Sequence, residues 1–303
     1  MTAQAVAREE VVRAPAWSPA WISQRLQKVL LHVVVIGLTA AWMVPAIALF
    51  TSSFRHFEDI NSTGWWTALA PPFKFTVDNY AKVLSSGNLG HSIFNSFMIS
   101  IPATVIPTTI AAFAAYAFAW MKFPGRNYLF LALVALLAVP LQLTFVPVLK
   151  TYVSVGLVPQ NWGFVGVWLA HAGYGLPFAV YLLANFFRAL PSDLFESAEI
   201  DGAGTLTVFF RIVLPLSVPA IASLVIFQFL WVWNDLLVAL IYVGGTENVA
   251  PVTVTLANLS NSLGQGWHLL TAAAFLSMII PLVVFISLQR YFVRGILAGS
   301  VKG

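Results

Sequence analysis

VLLHVVVIGLTAAWMVPAIALF fills residues 29–50 without a single Asp, Glu, Lys or Arg. As an α-helix these 22 residues would measure about 33 Å, enough to cross about 30 Å of bilayer hydrocarbon. Lipid offers no hydrogen bonds to the backbone, so a spanning segment of this kind must be a helix. Five further apolar stretches follow, at 93–119, 128–149, 162–186, 216–243 and 270–289. The expected fold is therefore all-α, a polytopic membrane protein with six transmembrane helices. Composition agrees. Of 303 residues, 59% are hydrophobic and 9% charged, against roughly 25% charged in an ordinary soluble domain. A mean hydropathy of +0.85 exceeds what one soluble core can hide.

The segment before the first span, 1–28, is a polar tail carrying Arg8, Glu9, Glu10, Arg13, Arg25 and Lys28, with no cleavage pattern, and predicts an uncleaved anchor. Placing the N-terminus in the cytoplasm puts eleven of the 15 Lys and Arg inside and four outside, namely Arg55, Lys74, Lys82 and Lys150. That asymmetry orients both termini inward. The outward segment 51–92 is then long enough for a short helix near Val77–Leu84. Every span contains proline, expected to kink rather than destroy its helix. The HAGYGLP stretch, His171–Pro177, concentrates three helix breakers and predicts local unwinding. Ala111, Ala115 and Ala119 give the second span a small face for close helix packing.

The chemistry that is missing narrows the function. Zero Cys excludes disulfides, thiolate metal sites and a cysteine nucleophile. The five His are far apart in sequence, and no G-x-S-x-G or H-E-x-x-H pattern occurs. Asp235 is the one acidic residue near any span, so no carboxylate dyad and no relay of ionisable groups is available. No Lys follows a Gly, so no phosphate-binding P-loop exists in this chain. The chain is expected to be no enzyme. If transport is driven by ATP, hydrolysis belongs to another subunit.

Residues 187–215, FRALPSDLFESAEIDGAGTLTVFFRIVLP, hold four of the eleven acidic residues. Ser192 or Asp193 is placed to cap a first short helix. Leu194, Ala198 and Ile200 would give it apolar contact, and Glu196, Glu199 and Asp201 charge. Gly202 and Gly204 would then turn the chain into a second helix starting near Thr205. Two short helices at a glycine corner make a projecting knuckle.

The order Glu196-Ser197-Ala198, Asp201-Gly202-Ala203, Ile212-x-Leu214-Pro215 resembles the EAA loop of binding-protein-dependent ABC importers, with three residues between Ala198 and Gly202 and nine between Gly202 and Ile212. Ser197 departs from the Ala more usual there. VWNDLLVAL from Val232, PVTVTLANL from Pro251 and QRYFVRGILAGSVKG from Gln289 add to the likeness. Together they resemble the smaller, G-type permease of maltose-type carbohydrate importers, over 88–303. The resemblance implies a type I importer permease fold, with a transmembrane domain over 88–290, in the bacterial inner membrane. It implies pairing with a homologous F-type permease, two ATPase subunits that bind ATP and Mg, and an extracytoplasmic sugar-binding protein, with no cofactor in this chain. It further implies that Glu196 meets an Arg of an ATPase and that Gly202 forms the corner. The cytoplasmic tail from 290, with Arg294, Gly295, Gly299, Lys302 and Gly303, would reach between the ATPases. The 244–269 loop would face the binding protein. The implied cargo is an oligosaccharide, disaccharide or α-glucoside, with a polyol or glycerol phosphate also open.

Tyr174, Trp233, Asn234 and Asp235 are the candidates for the translocation path. Ten Leu, Ile, Val and Phe between Leu216 and Val232 supply roughly −3 to −6 kcal/mol of insertion free energy against about +2.5 to +3.5 for one central Asp. The span can thus carry Asp235, as a structural partner of a neighbouring helix or as part of a path. A stand-alone channel or facilitator is the alternative from another class, and it has no need of an acidic docking loop.

Overall fold

The computed structural model describes residues 19–85, 88–259 and 266–298, and among these the regular structure is helical throughout. The principal helices are α1 (Pro19–Ser53), α2 (Asp78–Ser85), α3 (Asn88–Trp120), α4 (Arg126–Ala135), α5 (Phe145–Ser154), α6 (Val165–Arg188) and α7 (Ser192–Ile200). They are followed by α8 (Thr205–Leu216), α9 (Val218–Trp233), α10 (Leu237–Tyr242), α11 (Val252–Asn258) and α12 (Trp267–Ala298). Four of these, α1, α3, α6 and α12, contain single stretches long and apolar enough to cross a membrane, and two bent pairs bring the number to six.

The bends have local causes. At the third expected span, Arg126–Ala138 meets Leu141–Ser154 at 94°. Pro140 pushes Val139 out of the helical region, to φ −81° and ψ 117°, because the proline ring collides with the preceding residue in the α conformation. The span expected as 128–149 is therefore two helices and no single rod. In the fifth, α8 and α9 meet at 74° around Ser217, and α9 stops at Trp233. Residues Asn234–Leu236 break the span expected to run unbroken over 216–243, and α10 follows. At 16 residues, α9 alone measures about 24 Å, short of the hydrocarbon core.

The prolines inside α1, α3, α6 and α12 leave their helices continuous. The unwinding expected at His171–Pro177 does not occur. Gly175 is there for contact instead: a Cβ on it would lie 2.5 Å from the amide of Gln228. That buried amide donates to the Ala103 carbonyl at 3.3 Å, so one glycine lets α9 reach between α6 and α3.

α3 and α6 pack along much of their length and form the spine of the bundle. Ala103, Ala111, Ala115, Ala179 and Ala184 are all buried, and such small residues let helix backbones approach closely. The face expected from Ala111, Ala115 and Ala119 is thus used, with Ala119 at its rim. α9 packs on α3 and α12. α1 leans on α12 and is otherwise exposed around its apolar circumference, the condition of a helix that meets lipid or another apolar surface.

At the far end of α3 from Trp120, the connections are pinned by hydrogen bonds. Asn95 donates to the carbonyls of Asn248 and Ala250, both at 3.2 Å. The Val252 N–H donates to Ser96 Oγ at 2.8 Å, and the hydroxyls of Ser92 and Thr255 meet at 2.6 Å. The short helix expected near Val77–Leu84 is α2. Asn79 ties it to the carbonyls of Ser53 and Arg55 at 3.0 and 2.8 Å.

Candidate functional site

Two regions collect the residues singled out by sequence. The first is the knuckle of α7 and α8. Its corner is a helix C-cap: Gly202 sits at φ +72°, its N–H donates to the Glu199 carbonyl at 3.0 Å, and the Ala203 N–H donates to the Ala198 carbonyl at 2.9 Å. This pair of bonds is the Schellman closure, which wants a residue in the left-handed conformation that glycine adopts without the penalty a Cβ brings. Asp201-Gly202-Ala203 is therefore a geometric unit. Gly204, extended at φ −69° and ψ 159°, then leads into Thr205 and α8. The expected side-chain cap from Ser192 or Asp193 is absent: Pro191 occupies that position without a side-chain bond, and the Ser192 hydroxyl turns to Asp193 at 3.3 Å. Proline's fixed φ supplies the entry that a capping side chain would otherwise have organised.

The underside of the knuckle is locked to the bundle. Phe195 stacks on Trp120 with ring centroids 3.5 Å apart, and the Trp120 indole N–H donates to the Phe187 carbonyl at 2.9 Å. The Tyr116 hydroxyl donates to the Thr205 carbonyl at 3.3 Å. Phe209, 1% exposed, packs against Phe113 and Tyr116, and Ala198, Val208 and Val213 join the same cluster as Leu183 and Phe187. The Arg188 guanidinium lies 4.3 Å over the Phe130 ring. Sequence reasoning missed Trp120, Phe195 and Tyr116. No local pattern marks them, because each earns its role from a residue on a distant helix. Of the three residues expected to give α7 apolar contact, Ala198 is buried against the bundle, with Phe195 packed against the same cluster, while Leu194 and Ile200 are exposed.

The upper face points away from the bundle. Asp193, Glu196, Ser197, Glu199 and Asp201 are exposed, and none of the four carboxylates has a cationic partner among the described residues. Beside them stand Ile200, 87% exposed, and Leu206, 65% exposed, with Phe210 also open. Ile212 and Leu214 are half-buried against the cluster, and Pro215 is exposed. Acidic and large apolar side chains thus share one uncovered surface, and exposed apolar side chains grouped on one face mark a surface fit for contact.

The second region surrounds the break after α9. Asp235 spans it: its carboxylate accepts from the Val238 and Ala239 N–H groups at 3.3 and 2.9 Å, so it caps α10. Its carbonyl accepts from the Thr253 hydroxyl at 2.6 Å. Asn234 is exposed and donates back to the Leu230 carbonyl at 2.7 Å. Trp233 is buried, stacked on Phe229 and edge-on to Phe97. Tyr174 is half-buried on α6, its hydroxyl 2.7 Å from Thr144 and 2.8 Å from Tyr242. Of the four path candidates the structure thus brings Tyr174 and Asp235 to opposite ends of α10, and leaves Trp233 in the apolar core. In the tail, the backbone of Arg294 and Gly295 falls in α12, and Gly299, Lys302 and Gly303 lie outside the described residues.

Comparisons with known proteins agree with this architecture. Residues 107–298 match the family described as "binding-protein-dependent transport system inner membrane component". The permease protein for osmoprotective-compound uptake of Synechocystis is 57% identical over 279 residues, covering 91% of this chain and 93% of that one. The alpha-glucoside transport permease of Rhizobium meliloti is 52% identical over 241 residues, which are 79% of this chain and 63% of that longer one. Among solved structures, a chain from a bacterial ABC transporter involved in alginate import superimposes with a TM-score of 0.72 at 20% identity, over 92% of this chain and 100% of its own.

Proposed function

The chain belongs to the family of binding-protein-dependent transport system inner membrane components, and from that premise we propose that it is a permease subunit of an ATP-driven carbohydrate importer. The observation that carries the proposal is the knuckle: an acidic and apolar outer face held rigidly by Trp120, Tyr116 and the Gly202 corner. Its partner on that face is an ABC ATPase, with ATP and Mg bound there. Glu196 pairs with a basic residue of the ATPase, while Ile200 and Leu206 enter an apolar cleft. A homologous permease completes the path, both termini lie in the cytoplasm, and the connections around α11 face a sugar-binding protein outside the inner membrane. ATP-driven closure of the ATPase pair moves the knuckle, and the bundle passes between inward-open and outward-open states.

The cargo class is the α-glucosides and related small glycosides, supported by the alpha-glucoside transport relative at 52% identity. Uptake by the reconstituted assembly with its binding protein tests the proposal. α-Glucoside uptake is expected only with ATP, and Ile200→Asp with Leu206→Asp is expected to abolish co-purification of the ATPase while the chain still inserts. Flux through the chain alone, down a gradient and without ATPase, would overturn it.

A further inference from the structure

His171 is fully buried on α6, and neither ring nitrogen has a hydrogen-bond partner among the described residues. An unpaired buried imidazole is costly enough to need an explanation. Its Nε2 lies 3.7 Å from Asp235 Oδ2, roughly 0.7 Å beyond an ordinary N–H···O contact, and Trp231 stands edge-on to the ring, its centroid 5.4 Å away. A carboxylate has lone pairs to spare, so Asp235 can accept from His171 while keeping its bonds to Val238 and Ala239. A sub-ångström approach of α6 to the break after α9 would complete the contact.

We propose that His171 and Asp235 form a switchable contact, open in this conformation and closed in its alternate, that sets the angle at the break between α9 and α10. His171 is then a positioning residue acting through Asp235. Three ties make Asp235 the point where such a change would be felt. It caps α10 through two backbone N–H groups. It holds α11 through the Thr253 hydroxyl. It also faces α6, to which the far end of α10 is fastened independently by the 2.8 Å contact between Tyr242 and Tyr174. With Tyr242 as the fixed end and Asp235 as the movable one, closing the contact turns α10 against α6 and carries α11 with it. Movement at the outer connections and movement of the spine are thereby the same event. The inference deepens the transport proposal and rests on it only for the use made of the motion.

The chain has no cysteine, so Asn234→Cys introduces one reporter on the exposed residue beside Asp235. Its rate of labelling by a maleimide, on the purified full-length chain in detergent, reads the break without substrate or ATPase. His171→Phe, which fills the site and cannot donate, is expected to change that rate about fivefold or more, and His171→Gln, which can donate, less than about twofold. In an Asp235→Asn background, which also weakens the cap of α10, His171→Phe is expected to change the rate by a smaller factor than it does alone, since the two act on one contact. Equal labelling in wild type and His171→Phe, or effects of the two that multiply, would overturn the switch. If His171→Phe fails to fold, His171→Asn, too short to reach Asp235, replaces it with the same expectation. Absent ATP-driven uptake by an assembly whose labelling responds as expected would overturn the transport proposal and leave the switch standing.

Discussion

Gly202 offers a series in which backbone geometry and side-chain contact can be separated. The residue sits at φ +72°, and a Cβ placed on it meets no atom of the described residues within 4 Å. Alanine therefore costs only the left-handed conformation, about 1–2 kcal/mol, or about a 5- to 30-fold fall in the equilibrium favouring the formed corner. Asparagine tolerates that region and should cost less, whereas valine, branched at Cβ, should cost more. Proline is a different perturbation. Its φ is fixed near −65°, and it has no N–H for the 3.0 Å bond to the Glu199 carbonyl, so the corner cannot form. The expected order of ATP-driven uptake, normalised to inserted protein, is Gly, Asn, Ala, Val, Pro, with proline inactive. Co-purification of the ATPase should follow the same order. Alanine as damaging as proline, asparagine worse than valine, or normal uptake by proline would refute the assignment of a conformational role to Gly202.

Trp120→Ala removes both the stack on Phe195 and the bond to the Phe187 carbonyl; a local loss of about 3–5 kcal/mol should appear as faster hydrogen exchange across 192–204. Gly175→Ala should destabilise the bundle by about 1–3 kcal/mol, because the new methyl meets the Gln228 amide. Adding Gln228→Ala should recover part of that loss in thermal unfolding in detergent, and a loss that simply adds would refute the contact. Asn95→Ala leaves the Ala250 carbonyl without its side-chain donor, while the Asn248 carbonyl keeps its 2.9 Å bond from His91; exchange at 248–256 should accelerate by about 5- to 30-fold, while that of α7 stays unchanged.

What the sequence made legible was whatever depends on neighbours along the chain. Apolar runs located the spans, and Gly202 with its flanking Asp201 and Ala203 located the corner, since a Schellman closure is written within six residues. The small face of α3 was equally plain at Ala111 and Ala115. The breaks were not. Pro45, Pro107 and Pro177 look like Pro140 in sequence, yet only Pro140 interrupts its span, and neighbouring packing decides which carbonyls can be left unpaired. HAGYGLP shows the same limit: its glycines suggested unwinding, but Gly175 serves Gln228, 53 positions away by number. Trp120 and Phe195 form the tightest ring contact of the knuckle, and nothing in either local pattern ties one to the other.

These contacts also decide how force can travel. A knuckle on a compliant stalk would absorb the displacement of a partner, but here Trp120 and Tyr116 bind it to the last turns of α3, whose 33 residues extend about 50 Å. Ser92, Asn95 and Ser96 hold α11 at the opposite end of that same helix. A packed rod does not by itself couple two sites, since coupling needs an element with two arrangements. The rod has few candidates along it, because the α3–α6 spine is packed by alanines with no room to slip. Compliance is left to the interruptions, at Val139–Pro140, at Ser217 and at Asn234–Leu236. The last of these faces a buried imidazole one short step from a hydrogen bond. Movement entering at the knuckle should therefore be taken up at these breaks, the one beside His171 among them, while the spine moves as one body.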